Sequence, residues 1–203
     1  MSSFDSERTT ETDNDSPLIP EFNYLIINSI SNILSSVIIK NKNLPYFASL
    51  FKRQLKLPFN AKYIPSISIS DYITRIVQYT KIEENTLISS LIFIDRLCNE
   101  ERIMLTEFNV HRIIFTACLL AIKVNEDQIF NMEYYSQICG VKLTELNKLE
   151  SFFCSIVNFN FYIDEKEFGM YKQYLYTGAM MNQISYTKMK SETSHNEGIS
   201  LQN

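Results

Sequence analysis

Hydrophobic residues recur along most of this 203-residue chain at steps of three and four, the spacing of one face of an α-helix. The first such run covers positions 22–40 and predicts an amphipathic helix, with apolar positions at Phe22, Ile26, Ile30, Ile33 and Val37. Between residues 41 and 65 three prolines interrupt the pattern. They predict an irregular connector there, with a short helix around the sequence YFASLFKRQL.

Five further helices are predicted after Pro65, and their limits come from candidate capping residues. The candidate N-caps are Ser68 or Ser70 for the first helix, Asn85 or Thr86 for the second, Thr106 or Asn109 for the third, Asn131 for the fourth and Thr144 for the fifth. Gly140 is suited to the left-handed residue that ends the fourth helix. A sixth helical stretch follows in the sequence DEKEFGMYKQYLYTGAM.

The third of these helices is apolar on every side between Ile113 and Ile122, which is typical of a helix surrounded by other helices. No alternating strand pattern competes with the helical one. We therefore expect an all-α fold, with five helices around a central third helix and one flanking helix at each end.

Changes in composition divide the chain further. The predicted segments are a disordered acidic tail (1–20), an N-terminal helix and connector (21–64), the five-helix domain (65–161), a C-terminal flanking helix (162–181) and a polar tail (182–203).

Composition argues against several classes of function. The formal net charge is −4, and no Lys/Arg cluster suggests nucleic-acid binding. None of the four glycines lies in the first 139 residues, which excludes the glycine-rich loops that hold phosphates there. The four cysteines, Cys98, Cys118, Cys139 and Cys154, lack the spacing of a zinc site. We expect no metal, no cofactor and no enzymatic activity.

The sequence also indicates where the protein resides. Its first residues lack the basic and apolar regions of a secretory signal, and no apolar run is long enough to span a bilayer. Three of the cysteines lie in apolar helical stretches, as expected of core thiols in a reducing compartment. We expect an intracellular protein without a membrane partner.

Polar residues on apolar faces are the candidates for chemistry. Asp95 lies on the apolar stripe of the second helix, and Arg75 is the basic residue nearest to it on the first. A buried carboxylate needs a partner, so we predict a structural ion pair between Asp95 and Arg75. His111 has no nucleophile in a recognisable context and is not expected to be catalytic. The aromatic residues Phe152, Phe153, Phe159, Phe161 and Tyr162 are expected to pack in the core.

Lys123 ends the apolar run of the third helix, and Glu150 interrupts the fifth helix between Leu149 and two phenylalanines. By spacing alone each is more often a solvated residue at a helix edge than a functional one. Their role stays open at this point.

The motifs together resemble a cyclin box, specifically that of the single-box P/U-type cyclins of the phosphate-signalling class. The resemblance runs from about residue 65 to residue 161, and its most specific pieces are IDRL, LTEFNVHR and ELNKLE. A cyclin box contains five helices, as predicted from the caps and periodicity. Asp95 and Arg96 correspond to the family's IDR sequence, which supports a structural role for Asp95.

The resemblance implies a partner and a surface. In cyclins the lysine ending the third helix and the glutamate of the fifth bind a protein kinase near its regulatory αC helix, and these residues are Lys123 and Glu150 here. Val124 would be an apolar contact of the same patch. The expected function is therefore a regulatory subunit that forms a heterodimer with a cyclin-dependent protein kinase and activates it, in the cell cycle or in phosphate signalling.

Two details of the resemblance concern specificity. Glu126 and Asp127 stand where the P/U class tends to be acidic, and we expect them to meet basic residues of the kinase activation segment. The MRAIL segment, the substrate-docking patch of cell-cycle cyclins, is missing, so substrate docking of that type is not expected. The alternative functions are a cyclin-fold basal transcription factor and a helical scaffold without a kinase partner.

Overall fold

Helices make up most of the described chain. The computed structural model describes residues 21–100 and 103–178. Its helices are α1 (Glu21–Lys42), α2 (Phe47–Gln54), α3 (Ile69–Thr80), α4 (Glu84–Glu100), α5 (Val110–Asn125), α6 (Met132–Cys139), α7 (Leu143–Ile156) and α8 (165–178). The described ranges contain no strand, which confirms the all-α prediction.

Helix α5 lies at the centre of the fold. Nearly every residue from Val110 to Ile122 is buried. The helix contacts α3, α4, α6 and α7, so apolar residues on all its sides are removed from water. This is the central third helix that the sequence predicted, and the other four of the five predicted helices, α3, α4, α6 and α7, are arranged around it.

Two flanking helices complete the core. Helix α1 packs against α3 and α4 and buries Ile26 and Ile30. Helix α8 contributes Leu175, which is fully buried and whose carbonyl oxygen accepts a hydrogen bond from Ser29 Oγ of α1 at 3.2 Å. The first and last described helices are therefore joined to each other as well as to the box.

The helix ends follow the predicted capping chemistry at two places. Ser68 Oγ accepts the backbone N–H of Asp71 at 3.0 Å, and Asn131 Oδ1 accepts that of Tyr134 at 2.8 Å. Each bond satisfies a donor that has no partner within its helix. Gly140 ends α6 in the left-handed conformation with φ of 75°, as predicted.

The predicted caps of α4 and α7 are wrong, and that of α5 is confirmed in position but not in its hydrogen bond. Helix α7 begins at Leu143 with Lys142 in the N-cap position, so Thr144 lies inside its first turn. Helix α4 begins at Glu84, before both of its predicted caps. Asn109 does occupy the N-cap position of α5, but its side chain accepts the N–H of Thr106, which precedes the helix. Any nearby Ser, Thr or Asn is a plausible cap in the sequence, and only the backbone path selects among them.

The predicted ion pair between Asp95 and Arg75 is also wrong. Asp95 is exposed and accepts the hydroxyl of Tyr171 in α8 at 2.8 Å. Arg75 donates instead to the carbonyl oxygens of Ile138 and Gln137 at the end of α6, where the helix dipole favours a cation. Asp95 faces α8. The helical period of α4 could not reveal that α8 packs against α4 on this side.

The predicted tails at 1–20 and 182–203 lie outside the described residues, and the domain limits stay a prediction. Within the described ranges, each helix is too short or too polar to cross a membrane.

Candidate protein-binding surface at the end of helix α5

Lys123 and Glu150 meet at the surface. Lys123 lies in the last turn of α5 and Glu150 in the middle of α7, and packing of these helices brings the ammonium Nζ within 2.5 Å of Glu150 Oε1. Their side chains are 30% and 20% exposed. The two residues that interrupt separate apolar patterns thus form one ion pair that solvent and a partner protein can reach.

A buried cysteine lies close to the ion pair. Cys154 follows Glu150 by one helical turn and is buried. Burial raises the pKa of the Cys154 thiol. The Glu150 carboxylate raises this pKa further and the Lys123 ammonium lowers it, so both charges act on the thiol. The thiol is therefore a small neutral group between the ion pair and the core.

Exposed apolar and aromatic side chains follow the two residues of the ion pair along the chain. Val124 follows Lys123 and is 49% exposed. Phe159, in the turn after α7, is 72% exposed, and its N–H is bonded to the Cys154 carbonyl oxygen at 2.9 Å. Tyr162 is 79% exposed. We call Lys123, Val124, Glu150, Phe159 and Tyr162 the α5–α7 surface.

Two members of this surface were assigned to the core by the sequence analysis, and that prediction is wrong for both. Phe153 is fully buried as expected, whereas Phe159 and Tyr162 point to solvent. Phe159 also has φ of 56°, and an aromatic residue rarely adopts this left-handed conformation. Helix α7 ends at Ile156, and Asn158 and Phe159 are both left-handed, so the helical period no longer applies after Val157. Backbone strain at an exposed aromatic residue is typical of functional positions.

A groove continues the α5–α7 surface toward α8. It has a volume of about 600 Å³, and Val124, Phe161 and Tyr162 line one part of it. The start of α4, with Glu83 and Thr86, lines another part. The exposed apolar residues thus adjoin a concave surface, as is common where proteins bind partners.

The two acids after Lys123 have different surroundings. Glu126 is half-buried, and its Oε1 accepts the backbone N–H of Glu83 at 3.0 Å. Burial raises the pKa of Glu126, while hydrogen bonds from the Glu83 backbone and the Thr86 side chain oppose that rise. Asp127 is exposed. The loop therefore presents one acid to solvent and holds the other against the start of α4.

The described residues show no cluster suited to a metal ion. His111 Nε2 lies 2.9 Å from the carbonyl oxygen of Ile67, and its ring packs edge-on against Tyr72. A buried imidazole between a carbonyl and an aromatic ring is typical of a structural residue.

Comparisons with known proteins identify the family of this chain. The family model described as Cyclin matches residues 8–161. Cyclin-U4-3 of Arabidopsis thaliana is 30% identical over 167 residues, which are 82% of this chain and 72% of that protein. Cyclin-U3-1 of the same plant is 36% identical over 110 residues, 54% of this chain and 50% of that protein.

A fungal relative has a more informative name. The PHO85 cyclin-like protein psl1 of Schizosaccharomyces pombe is 32% identical over 132 residues, 64% of this chain and 54% of that protein. The chain thus matches only about half the length of Cyclin-U3-1 and of psl1. The family model covers well over half of the chain and includes all five helices of the box. The chain therefore belongs to the cyclin family, and the names of its relatives place it with the P/U-type cyclins.

Proposed function

We propose that this protein is the regulatory subunit of a cyclin-dependent protein kinase and that the α5–α7 surface binds the regulatory αC helix of that kinase. The observation that carries the proposal is the accessible Lys123–Glu150 ion pair, whose two residues are followed along the chain by exposed Val124 after α5 and by exposed Phe159 and Tyr162 after α7. Membership of the cyclin family and the similarity to a PHO85 cyclin-like protein support it.

The chemistry of the surface suits a helix of a partner protein. Exposed apolar and aromatic side chains supply most of the energy at protein interfaces, and charged groups at the rim add orientation. The Lys123 ammonium carries three donors and the Glu150 carboxylate has about four acceptor sites, so their mutual bond leaves both able to bind backbone groups of the kinase. The ion pair also holds both side chains in place before the kinase arrives.

Activation follows from preferential binding. A kinase is active when its αC helix lies inward, its own Lys–Glu pair forms and its activation segment is ordered. A cyclin that binds this state more tightly shifts the kinase population toward it. The regulatory subunit itself performs no chemistry in this scheme, and the product is a one-to-one heterodimer.

The loop after α5 extends the proposed contact to the activation segment. Asp127 is exposed and stands four residues after Lys123. A carboxylate there binds basic residues of the activation segment and partly replaces the charge of a phosphothreonine. Glu126 belongs to the same loop, although its carboxylate already has partners within the chain.

Copurification tests the proposal. The chain is co-expressed with candidate cyclin-dependent kinases, and kinase binding and activity are measured for the wild type, Lys123→Glu, Glu150→Lys and the control Lys42→Glu. Lys42 forms a more exposed ion pair with Glu107 at 3.6 Å, away from this surface. We expect the first two variants to lose kinase binding and activation by tenfold or more and the control to retain both. If no kinase copurifies or gains activity with the wild type, the proposal is wrong.

A further inference from the structure

Glu126 stands where α5 ends and the chain turns away. It is the C-cap residue of α5, with an extended backbone (φ −109°, ψ 139°) and an N–H bonded to the carbonyl oxygen of Ile122 at 2.9 Å. The chain therefore leaves its helical path at Glu126. Val124 and Asp127, two residues of the proposed kinase contact, lie on either side of it.

The side chain of Glu126 reaches across to another helix. Its Oε1 accepts the N–H of Glu83, the residue immediately before α4, and its carboxylate also bonds the side chain of Thr86 in the first turn. The start of a helix carries N–H groups without a partner inside the helix, so an oxygen acceptor there satisfies a backbone donor.

Two buried groups lie close enough to feel the charge of this carboxylate. Burial raises the pKa of the Cys118 thiol in α5 and that of the Tyr135 hydroxyl in α6, and the Glu126 charge raises both slightly further. Both of those residues are buried. Glu126 is therefore half-buried against the start of α4 and near α6, whereas Asp127 is exposed.

We infer that Glu126 is a positioning residue of the kinase-binding surface. By bonding the start of α4 it fixes the direction in which the chain leaves α5, and this holds Val124 and Asp127 in the orientation that meets the kinase. The inference rests on the proposed function and gives the two neighbouring acids different roles. Asp127 contacts the kinase, and Glu126 orients the loop through bonds within the chain.

The amide of glutamine separates these roles. In Glu126→Gln the side-chain oxygen still accepts the N–H of Glu83, but the charge that a basic kinase residue would need is gone. In Glu126→Ala both are lost. We expect Glu126→Gln to bind the kinase within about threefold of the wild type and Glu126→Ala to bind about tenfold more weakly, the scale of indirect coupling effects. Asp127→Asn should weaken kinase binding, and the loss of affinity should be larger at low salt than at high salt.

The experiment measures the affinity of each purified full-length variant for the kinase by titration calorimetry, at two salt concentrations. Amide hydrogen exchange of the kinase-free chain is followed at residues 83–87 and 123–128. The expected result is faster exchange at both segments in Glu126→Ala and near-normal exchange in Glu126→Gln. If Glu126→Gln loses as much affinity as Glu126→Ala, the glutamate acts by its charge and the inference is overturned.

Lys123→Glu is measured in the same series. If it abolishes binding while the two Glu126 variants are equally weak, the proposed function stands and the positioning role fails. If Lys123→Glu binds like the wild type, the proposed function itself fails.

Discussion

The ammonium Nζ of Lys123 lies 2.5 Å from the carboxylate Oε1 of Glu150 and joins the end of α5 to the middle of α7 at the protein surface. A pair this accessible contributes only about 0–1 kcal/mol to stability. Under the proposed function the pair therefore serves kinase binding rather than folding.

Exchanging the two charges separates binding from folding. The double variant Lys123→Glu plus Glu150→Lys restores an ion pair of opposite direction, so we expect its unfolding free energy to lie within about 1 kcal/mol of the wild type. Kinase binding should still be lost, because each charge now faces the wrong partner group. Urea unfolding and pull-down measure the two properties. Recovery of binding in the double variant would show that the kinase does not distinguish the two positions.

Two phenylalanines of α7 and its following turn should respond in opposite ways. Phe153 is fully buried and packs edge-on against Phe59, so Phe153→Ala should cost about 3–5 kcal/mol of stability. Phe159 is exposed, so Phe159→Ala should change stability by less than about 0.5 kcal/mol yet weaken kinase binding by tenfold or more. Thermal unfolding and kinase titration give both quantities. Full kinase affinity in Phe159→Ala would remove this residue from the binding surface.

The capping assignments give a matched pair of variants. Asn131 Oδ1 accepts the N–H of Tyr134, and Asn131→Ala should cost about 1 kcal/mol. Thr144 is exposed within the first turn of α7, so Thr144→Ala should change stability by less than about 0.5 kcal/mol. Urea unfolding checks the difference. Equal losses in the two variants would contradict the assignment of these helix ends.

A double-mutant cycle checks the correction at Asp95. Because Arg75 bonds the end of α6 and Asp95 bonds Tyr171, the effects of Arg75→Ala and Asp95→Ala should add within about 0.3–0.5 kcal/mol. A buried ion pair between them would instead give losses of about 3–5 kcal/mol for each single variant. The cycle is measured by chemical unfolding, with Arg96→Ala as a comparison, since Arg96 does bind Glu167 at 2.7 Å.

His111 should make the fold less stable in acid. Burial lowers the pKa of His111 below the ordinary 6.5, against a smaller opposing effect of the Ile67 carbonyl. Below pH 6.5 the unfolded chain therefore takes up a proton that the folded chain resists, so stability falls as pH decreases through that range. Tyr72, Arg75 and Arg112 line the same groove, and neither arginine favours a second positive charge there.

The measurement is urea unfolding between pH 7.5 and 5.5 in a His195→Gln background, which leaves His111 as the only imidazole. As the pH falls, we expect the protein with His111 to lose more of its unfolding free energy than the His111→Gln variant does. A difference that does not change with pH would contradict the lowered pKa.

The sequence by itself determined the helical architecture. Apolar residues at steps of three and four define a buried face for each helix, and the run from Ile113 to Ile122 has no polar side that could face water. Burial of that run requires neighbours all around, so α5 had to be central. These properties depend on spacing within one helix, which the sequence displays directly. The motifs then predicted the family.

The tertiary structure decided which side chains meet. Lys123 and Glu150 are 27 positions apart, and only the packing of α5 against α7 joins them. Asp95 paired with Tyr171 and not with Arg75, because α8 covers that side of α4. Phe159 reached solvent because the chain leaves the helical path after α7, where Asn158 and Phe159 are left-handed. Glu126 bonds the start of α4 while Asp127 is exposed, because α5 ends just before these two residues. Contacts between elements depend on backbone paths that periodicity within each element does not encode.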